Sequence, residues 1–265
     1  MARSRHAPDR SAILGPMRRT RRSYLLCATP RSGSSLLCEL LASTRVAAWP
    51  AEYFWRGDET FWRERWGISD GDDFIAAALN AGTASYGVFG AKVMWDHLDD
   101  LAAKARTASG NAPDPLPELL ARLFPGLRYV WVTRRDRLRQ AISLARALET
   151  DVWARRPGDA VAPAVDATFD VVRIERLRDD LEQQDRGWLA YFESAGVRPI
   201  TVVYEELAAD PRGGTLALLR DLGLSLPRRR SLPEPVMRPQ ADDVTDEWVE
   251  RFVRATGDGS DVTSG

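Results

Sequence analysis

The chain alternates short, unbroken apolar runs with stretches whose apolar residues recur every three to four positions. Ser23-Tyr-Leu-Leu-Cys-Ala28 is the first such run, and turn residues follow it at once. An unbroken run bounded by turn residues predicts a strand buried on both faces; alternation would mark one wet on one side. Gly87–Trp95, Arg128–Thr133 and Pro199–Tyr204 read the same way. Helical periodicity predicts helices over Leu36–Ala42, from about Asp136 onward, and over Gly214–Leu222. Further helices fall at roughly 72–80, 97–106, 116–123 and 166–194. Strands alternating with helices specify the α/β class, with a central parallel sheet flanked by helices. Ligands of such sheets gather at the carboxyl ends of the strands. That rule puts the segments after residues 28, 95 and 133 on the functional rim. The chain divides into a flexible basic tail (1–22), a single domain (23–256) and a disordered tail (257–265). Pro-rich loops fall at Asn111–Pro117 and Arg228–Pro235.

The segment between the first strand and its helix is Thr29-Pro30-Arg31-Ser32-Gly33-Ser34-Ser35. Backbone N–H groups and the helix dipole converge on an anion there. Gly33 permits close backbone approach. Ser32, Ser34 and Ser35 add hydroxyl donors, and Arg31 adds a charge-assisted fork. Ser-Gly-Ser alone would read as a plain helix cap; the first-strand context and Arg31 make an anion loop the better reading. It is not a nucleoside-triphosphate loop, because no glycine opens it and no lysine closes it. No magnesium-binding acid group is recognisable.

A second anion site follows the third strand, in Thr133-Arg-Arg-Asp-Arg-Leu-Arg-Gln-Ala-Ile-Ser143. Arg134 falls at the strand's carboxyl end. Ser143 falls two turns into the next helix, on an inward face if Ala141 and Leu144 flank the core. A basic, solvated helix face is the competing reading. Two anion sites on neighbouring loops suit a ligand with phosphates at two ends, such as adenosine 3′-phosphate 5′-phosphosulfate (PAPS).

Composition narrows the classes. The chain has 265 residues, with 37 basic against 38 acidic side chains and a net charge of −1. A field for nucleic acid is therefore not expected. Two cysteines and two histidines exclude a disulfide framework, a zinc cluster and a multi-histidine site, so no metal is expected. No apolar run reaches membrane-spanning length. Ser11–Met17 is too short and broken for a signal-peptide core, so a cytoplasmic protein is expected. Only Lys92 and Lys104 are lysines; the other 35 cations are arginines. Codon bias explains most of that excess, and it makes each lysine a rare choice.

These motifs resemble those of the PAPS-dependent sulfotransferases. Thr29–Ser35 resembles the family's 5′-phosphosulfate loop, and Arg134 with Ser143 resembles its 3′-phosphate site. More specifically, the chain resembles the bacterial carbohydrate sulfotransferases typified by the trehalose 2-sulfotransferase family. Pro50-Ala-Glu-Tyr-Phe54, Gly90–Trp95, Glu149–Trp153 and Gln240–Trp248 carry that match. The resemblance implies a P-loop-like sulfotransferase fold, PAPS as donor with the bisphosphate PAP released, and a small-molecule acceptor, a sugar or glycosylated metabolite. It implies a homodimer as well. It assigns Glu52 as general base, Arg31 to the phosphosulfate, and Pro30, Ser32, Gly33, Ser34, Ser35, Arg134, Ser143, Arg238 and Gln240 to the donor. Phe54, Lys92, Trp95 and Trp153 join Glu52 as acceptor-site candidates. From the residues alone, Glu52 reads equally as a surface carboxylate, Lys92 as a strand-edge lysine, and Trp95 and Trp153 as core. His97 reads as a helix-start residue. The aromatic stretch Trp55–Trp66 is expected to help form the acceptor pocket.

The match departs from the family at two places. Pro239 stands where an arginine usually precedes Gln-Ala-Asp, with Arg238 one residue earlier. Trp49 stands where a small residue is expected before Pro50. Two other readings stay open: a P-loop-type kinase with a degenerate loop, and a non-catalytic nucleotide-binding protein.

Overall fold

The computed structural model describes residues 19–153, 167–227 and 243–257. Most of the basic tail, the 228–235 loop and residues 258–265 lie outside the described residues. The chain runs β1 (Arg22–Ala28), α1 (Ser34–Thr44), α2 (Glu59–Trp66), α3 (Phe74–Gly82), β2 (Val88–Met94), α4 (Leu98–Ala108) and α5 (Leu116–Leu123). It continues with β3 (Leu127–Thr133), α6 (Arg137–Thr150), α7 (Val171–Ser194), β4 (Ile200–Val203), α8 (Tyr204–Ala209), α9 (Pro211–Asp221) and α10 (Asp243–Thr256).

The four strands form one parallel sheet in the order β2-β1-β3-β4. β1 is apolar throughout because both of its faces are covered. Tyr24, Leu26 and Ala28 pack into one layer with α1, α8 and α9; Leu25 and Cys27 pack into the other with α3, α4, α5 and α7. Each such large aliphatic side chain, fully buried, contributes roughly 1.5–3 kcal/mol. A third cluster joins α6, α7 and α10 through Ile142, Ile174, Trp248 and Phe252.

The helix starts follow from capping chemistry. Asp73, Asp136, Asp170 and Asp210 each accept a backbone N–H from the first turn of α3, α6, α7 and α9. Asp170 explains why α7 starts at Val171 rather than at 166. The tail expected to end at 22 is already tied down before that residue. Thr20 Oγ1 meets Thr83 Oγ1 at 2.7 Å, and the Arg21 N–H donates to the Gly87 carbonyl. Three helices go unanticipated: α2, α8 and α10.

The strand ends are level. Ala28 pairs with Met94 on one side and Val132 on the other, so β1, β2 and β3 reach the same rim. One irregular segment joins them there. Ala51 makes a single parallel bridge to Ala91, and the Lys92 N–H donates to the Ala51 carbonyl at 2.9 Å. That bridge brings Glu52 to the edge of β2.

Candidate active site

The Thr29–Ser35 segment turns from β1 into α1 through two left-handed residues, Arg31 (φ 62°) and Gly33 (φ 87°). Gly33 is required twice over. Its dihedral disfavours L side chains, and a Cβ there would lie 2.3 Å from the Tyr204 ring. Gly33 is also the N-cap of α1 and supplies no capping side chain, which leaves the helix's first N–H groups to the rim. Ser32 and Ser34 are buried. The Ser32 hydroxyl has no hydrogen-bond partner among the described residues. A buried, unsatisfied donor beside a helix N-terminus fits a phosphate or sulfate oxygen.

Two guanidinium groups close over this loop. Arg31 Nε donates to Ser143 Oγ at 2.9 Å, and its Nη1 donates to the Trp153 carbonyl. Arg134 Nη1 donates to the Arg31 carbonyl at 3.3 Å. The two expected anion sites are therefore joined: Arg31, assigned to one, is bonded to Ser143, assigned to the other. Burial lowers the Arg31 pKa to about 10, and the nearby Arg134 and Arg146 add to that effect while Tyr204 opposes it. Burial lowers the Arg134 pKa too. Both remain cations at neutral pH, and a polyanion relieves their mutual repulsion. Arg134 lies over the Tyr204 ring, 4.7 Å from its centroid, with Glu205 at 4.0 Å from Nε.

A buried layer behind the loop escapes sequence reasoning. Gln140 is wholly buried and donates to Thr29 Oγ1 at 3.0 Å and to the Pro30 carbonyl at 2.7 Å. Arg137 donates to Gln140 Oε1 at 2.7 Å and is paired with Asp185. Trp188 Nε1 donates to the Ala28 carbonyl at 3.0 Å. Nothing local marks Gln140 in the sequence, because it shares its helix face with the polar Asp136, Arg137 and Ser143.

Glu52 sits on the β2 side of the rim. Its Oε1 is 2.8 Å from Lys92 Nζ, and its Oε2 is 3.4 Å from His97 Nδ1. Lys92 Nζ is also 3.4 Å from Ser35 Oγ. The Glu52, Lys92 and His97 side chains are 15%, 10% and 14% exposed, so the Glu52–Lys92 ion pair is little screened. Lys92 lies on β2, at the edge of the sheet, and reaches both Glu52 and Ser35. His97 does start a helix, as expected, being the N-cap of α4, and it also lies against Glu52 and stacks on Trp55 at 5.1 Å and 18°.

Other candidates are placed elsewhere. Phe54 is 1% exposed, with its ring 5.8 Å from Phe124 and 6.5 Å from Phe74, so it is a core residue and presents no face to a ligand. A turn at Tyr53–Phe54 sends both rings inward. The aromatic stretch mostly fills the same core: Trp62 is buried and stacks with Trp66. Of that stretch, Trp55 reaches the base side, through His97. Trp95 packs edge-on against Trp188, over Gly187. Trp153 meets Arg31 through its backbone carbonyl, while its ring packs at the α6–α7–α10 cluster. Arg238, Pro239 and Gln240 lie outside the described residues. No group of residues that could hold a metal ion occurs among the described residues, and no helix there is long and apolar enough to cross a membrane.

Fold and site together define an α/β protein that brings a glycine-turned loop, two arginines and a carboxylate to one strand-end rim. The chain belongs to the Stf0 sulphotransferase family, whose model matches residues 23–255. It is 32% identical to the trehalose 2-sulfotransferase of Mycolicibacterium smegmatis over 259 residues, covering 88% of this chain and 94% of that protein. It is 29% identical to the trehalose 2-sulfotransferase of Mycobacterium tuberculosis over 263 residues, covering 89% and 96%. Among solved structures, the sulfotransferase domain of the Synechococcus PCC 7002 olefin synthase aligns with a TM-score of 0.42 at 16% identity, covering 88% of this chain and 90% of that one. A sulfotransferase from Alicyclobacillus acidocaldarius aligns with a TM-score of 0.43 at 13% identity, covering 90% and 94%.

Proposed function

We propose that this chain transfers a sulfuryl group from PAPS to a hydroxyl of a sugar or sugar-containing metabolite, with Glu52 as general base. The observation that carries the reading is one shared ammonium: Lys92 Nζ lies 2.8 Å from Glu52 Oε1 and 3.4 Å from Ser35 Oγ. The carboxylate and the anion loop are thus neighbours on one rim. The trehalose enzymes among its relatives support a sugar acceptor.

On this reading the helix start at Gly33–Ser35, Arg31 and Arg134 hold the donor's phosphates, and Ser143 adds a hydroxyl. The donor supplies an activated sulfur–oxygen bond. The acceptor oxygen attacks sulfur in line, and the bond to the 5′-phosphate breaks. Glu52 takes the acceptor proton as the new bond forms. Charge grows on the departing phosphate, and on this reading Arg31, Lys92 and the N–H groups of α1 stabilise it.

The test is a screen of trehalose and other sugars with labelled PAPS, alongside thermal shift with PAP and with ATP plus magnesium. Sulfated product and stabilisation by PAP are expected, since a ligand of the folded state raises its melting temperature by mass action. Stabilisation by ATP–magnesium and none by PAP would overturn the reading in favour of a kinase.

A further inference from the structure

We propose that His97 positions the base: its Nδ1–H donates to Glu52 Oε2 and fixes the carboxylate's orientation. The proposal rests on the reading of Glu52 as general base. Three observations lead to it. His97 Nδ1 is buried, makes no hydrogen bond among the described residues, and lies 3.4 Å from Glu52 Oε2. The ring is clamped face to face on Trp55. The Glu52–Arg56 segment is separately fastened to α4, because the Arg56 N–H donates to Asp100 Oδ2 at 2.9 Å and Arg56 Nε pairs with Asp100 Oδ1 at 3.3 Å.

The fastening through Asp100 matters to the argument. It sets the backbone course of the segment without any help from the imidazole. What remains for His97 is the side-chain torsion of Glu52. Lys92 holds Glu52 Oε1 through a rotatable, point-like ammonium. A second donor on the other oxygen defines the plane of the carboxylate, and with it the lone pairs turned toward an acceptor hydroxyl. Misorientation of a base is expensive, since proximity and alignment supply much of a barrier reduction. The separation of 3.4 Å is long for a hydrogen bond, and catalytic hydrogen bonds of this kind tighten in the reacting complex. Trp55 fixes the ring plane, so the tightening needs only a small motion of Glu52.

Two variants separate the imidazole's N–H from its bulk. His97→Phe keeps a ring to stack on Trp55 and removes the donor. His97→Asn loses the ring and keeps an N–H near the position of Nδ1. Misplacing a reacting group by about 1 Å can cost about 10²-fold. His97→Phe is expected to lower kcat by that factor with the acceptor KM within about twofold, and His97→Asn to recover most of the rate. Equal rates in His97→Phe and wild type, or equal losses in both variants, overturn the proposal. The Glu52→Gln variant keeps the two readings apart. If it retains wild-type kcat, the base assignment falls and this one with it; if it is inactive while His97→Phe is unimpaired, this one falls alone. Nitrogen NMR of the imidazole needs no turnover: the Nδ1–H tautomer is expected in the whole protein, and a dominant Nε2–H tautomer overturns the proposal.

Discussion

The two sides of the rim are built by different means. The anion loop is contiguous, and its shape comes from the main chain: two left-handed residues, a helix start, and carbonyls held from behind by Gln140 and Trp188. The carboxylate side is assembled from separate pieces. Glu52 arrives on an irregular segment through one bridge at Ala51, while Lys92 and His97 come from β2 and the turn after it. A site made of backbone tolerates the loss of any one side chain better than a site made of three side chains. Substitutions on the two sides should therefore differ in size and in which step they touch.

The sharpest break of that contrast is Glu52→Gln. The change is nearly isosteric and removes the carboxylate proposed to accept the proton. Loss of a general base typically costs about 10²–10⁴-fold. The expected outcome is a fall in kcat of that order, with PAP affinity by calorimetry within about twofold. A comparable weakening of PAP binding would mean that the two sides are not separable.

How much of this was legible follows from the same contrast. The anion loop could be read because Thr29–Ser35 lies in one stretch after an obvious strand, and because a helix start has known chemistry. Arg134 and Ser143 could be read from the next strand's end. The Arg31–Ser143 bond could not, because 112 positions separate the two residues and only the packing of α6 brings them together. Glu52 stood out by family resemblance alone; nothing local distinguishes it from a surface carboxylate. His97 reads correctly as a helix start, yet its neighbour is 45 positions away and is fixed by the single bridge at Ala51. Phe54 is an acceptor-site candidate through the Pro50–Phe54 stretch that carries the family resemblance, and a turn separates its environment from that of Glu52.

Phe54→Ala sharpens that last point. Its ring is 1% exposed among Phe74 and Phe124, so truncation leaves a cavity. The expected loss of stability is about 3–5 kcal/mol, read by chemical denaturation. Below the unfolding transition, the acceptor KM of the folded fraction should stay near wild type. A raised KM with unchanged stability would return Phe54 to the acceptor site.

Gln140→Leu tests the backing of the loop. It removes the donors to Thr29 Oγ1 and the Pro30 carbonyl and leaves both acceptors buried. Orphaned buried partners cost about 1–3 kcal/mol. Part of that should appear as weaker PAP binding, because the loop that holds the phosphates loosens. Wild-type PAP affinity in a destabilised Gln140→Leu protein would show that the loop keeps its shape without support from α6.

Trp153→Phe has the smallest expected effect and discriminates most finely. If the donor side is main-chain architecture, Trp153 matters through the carbonyl that accepts from Arg31, and every substitution keeps that carbonyl. The indole N–H donates to Asp151 Oδ1 at 2.9 Å in an exposed contact, so the loss of that bond costs little. Phenylalanine preserves an aromatic ring for the packing at the α6–α7–α10 cluster. PAP affinity and acceptor KM should both stay within about 0.5 kcal/mol of wild type, the scale of a substitution away from key contacts. An acceptor KM raised tenfold would instead make the indole a sugar-stacking surface. The rim would then hold its acceptor from the donor side, and the division into a main-chain half and a side-chain half would fail at that residue.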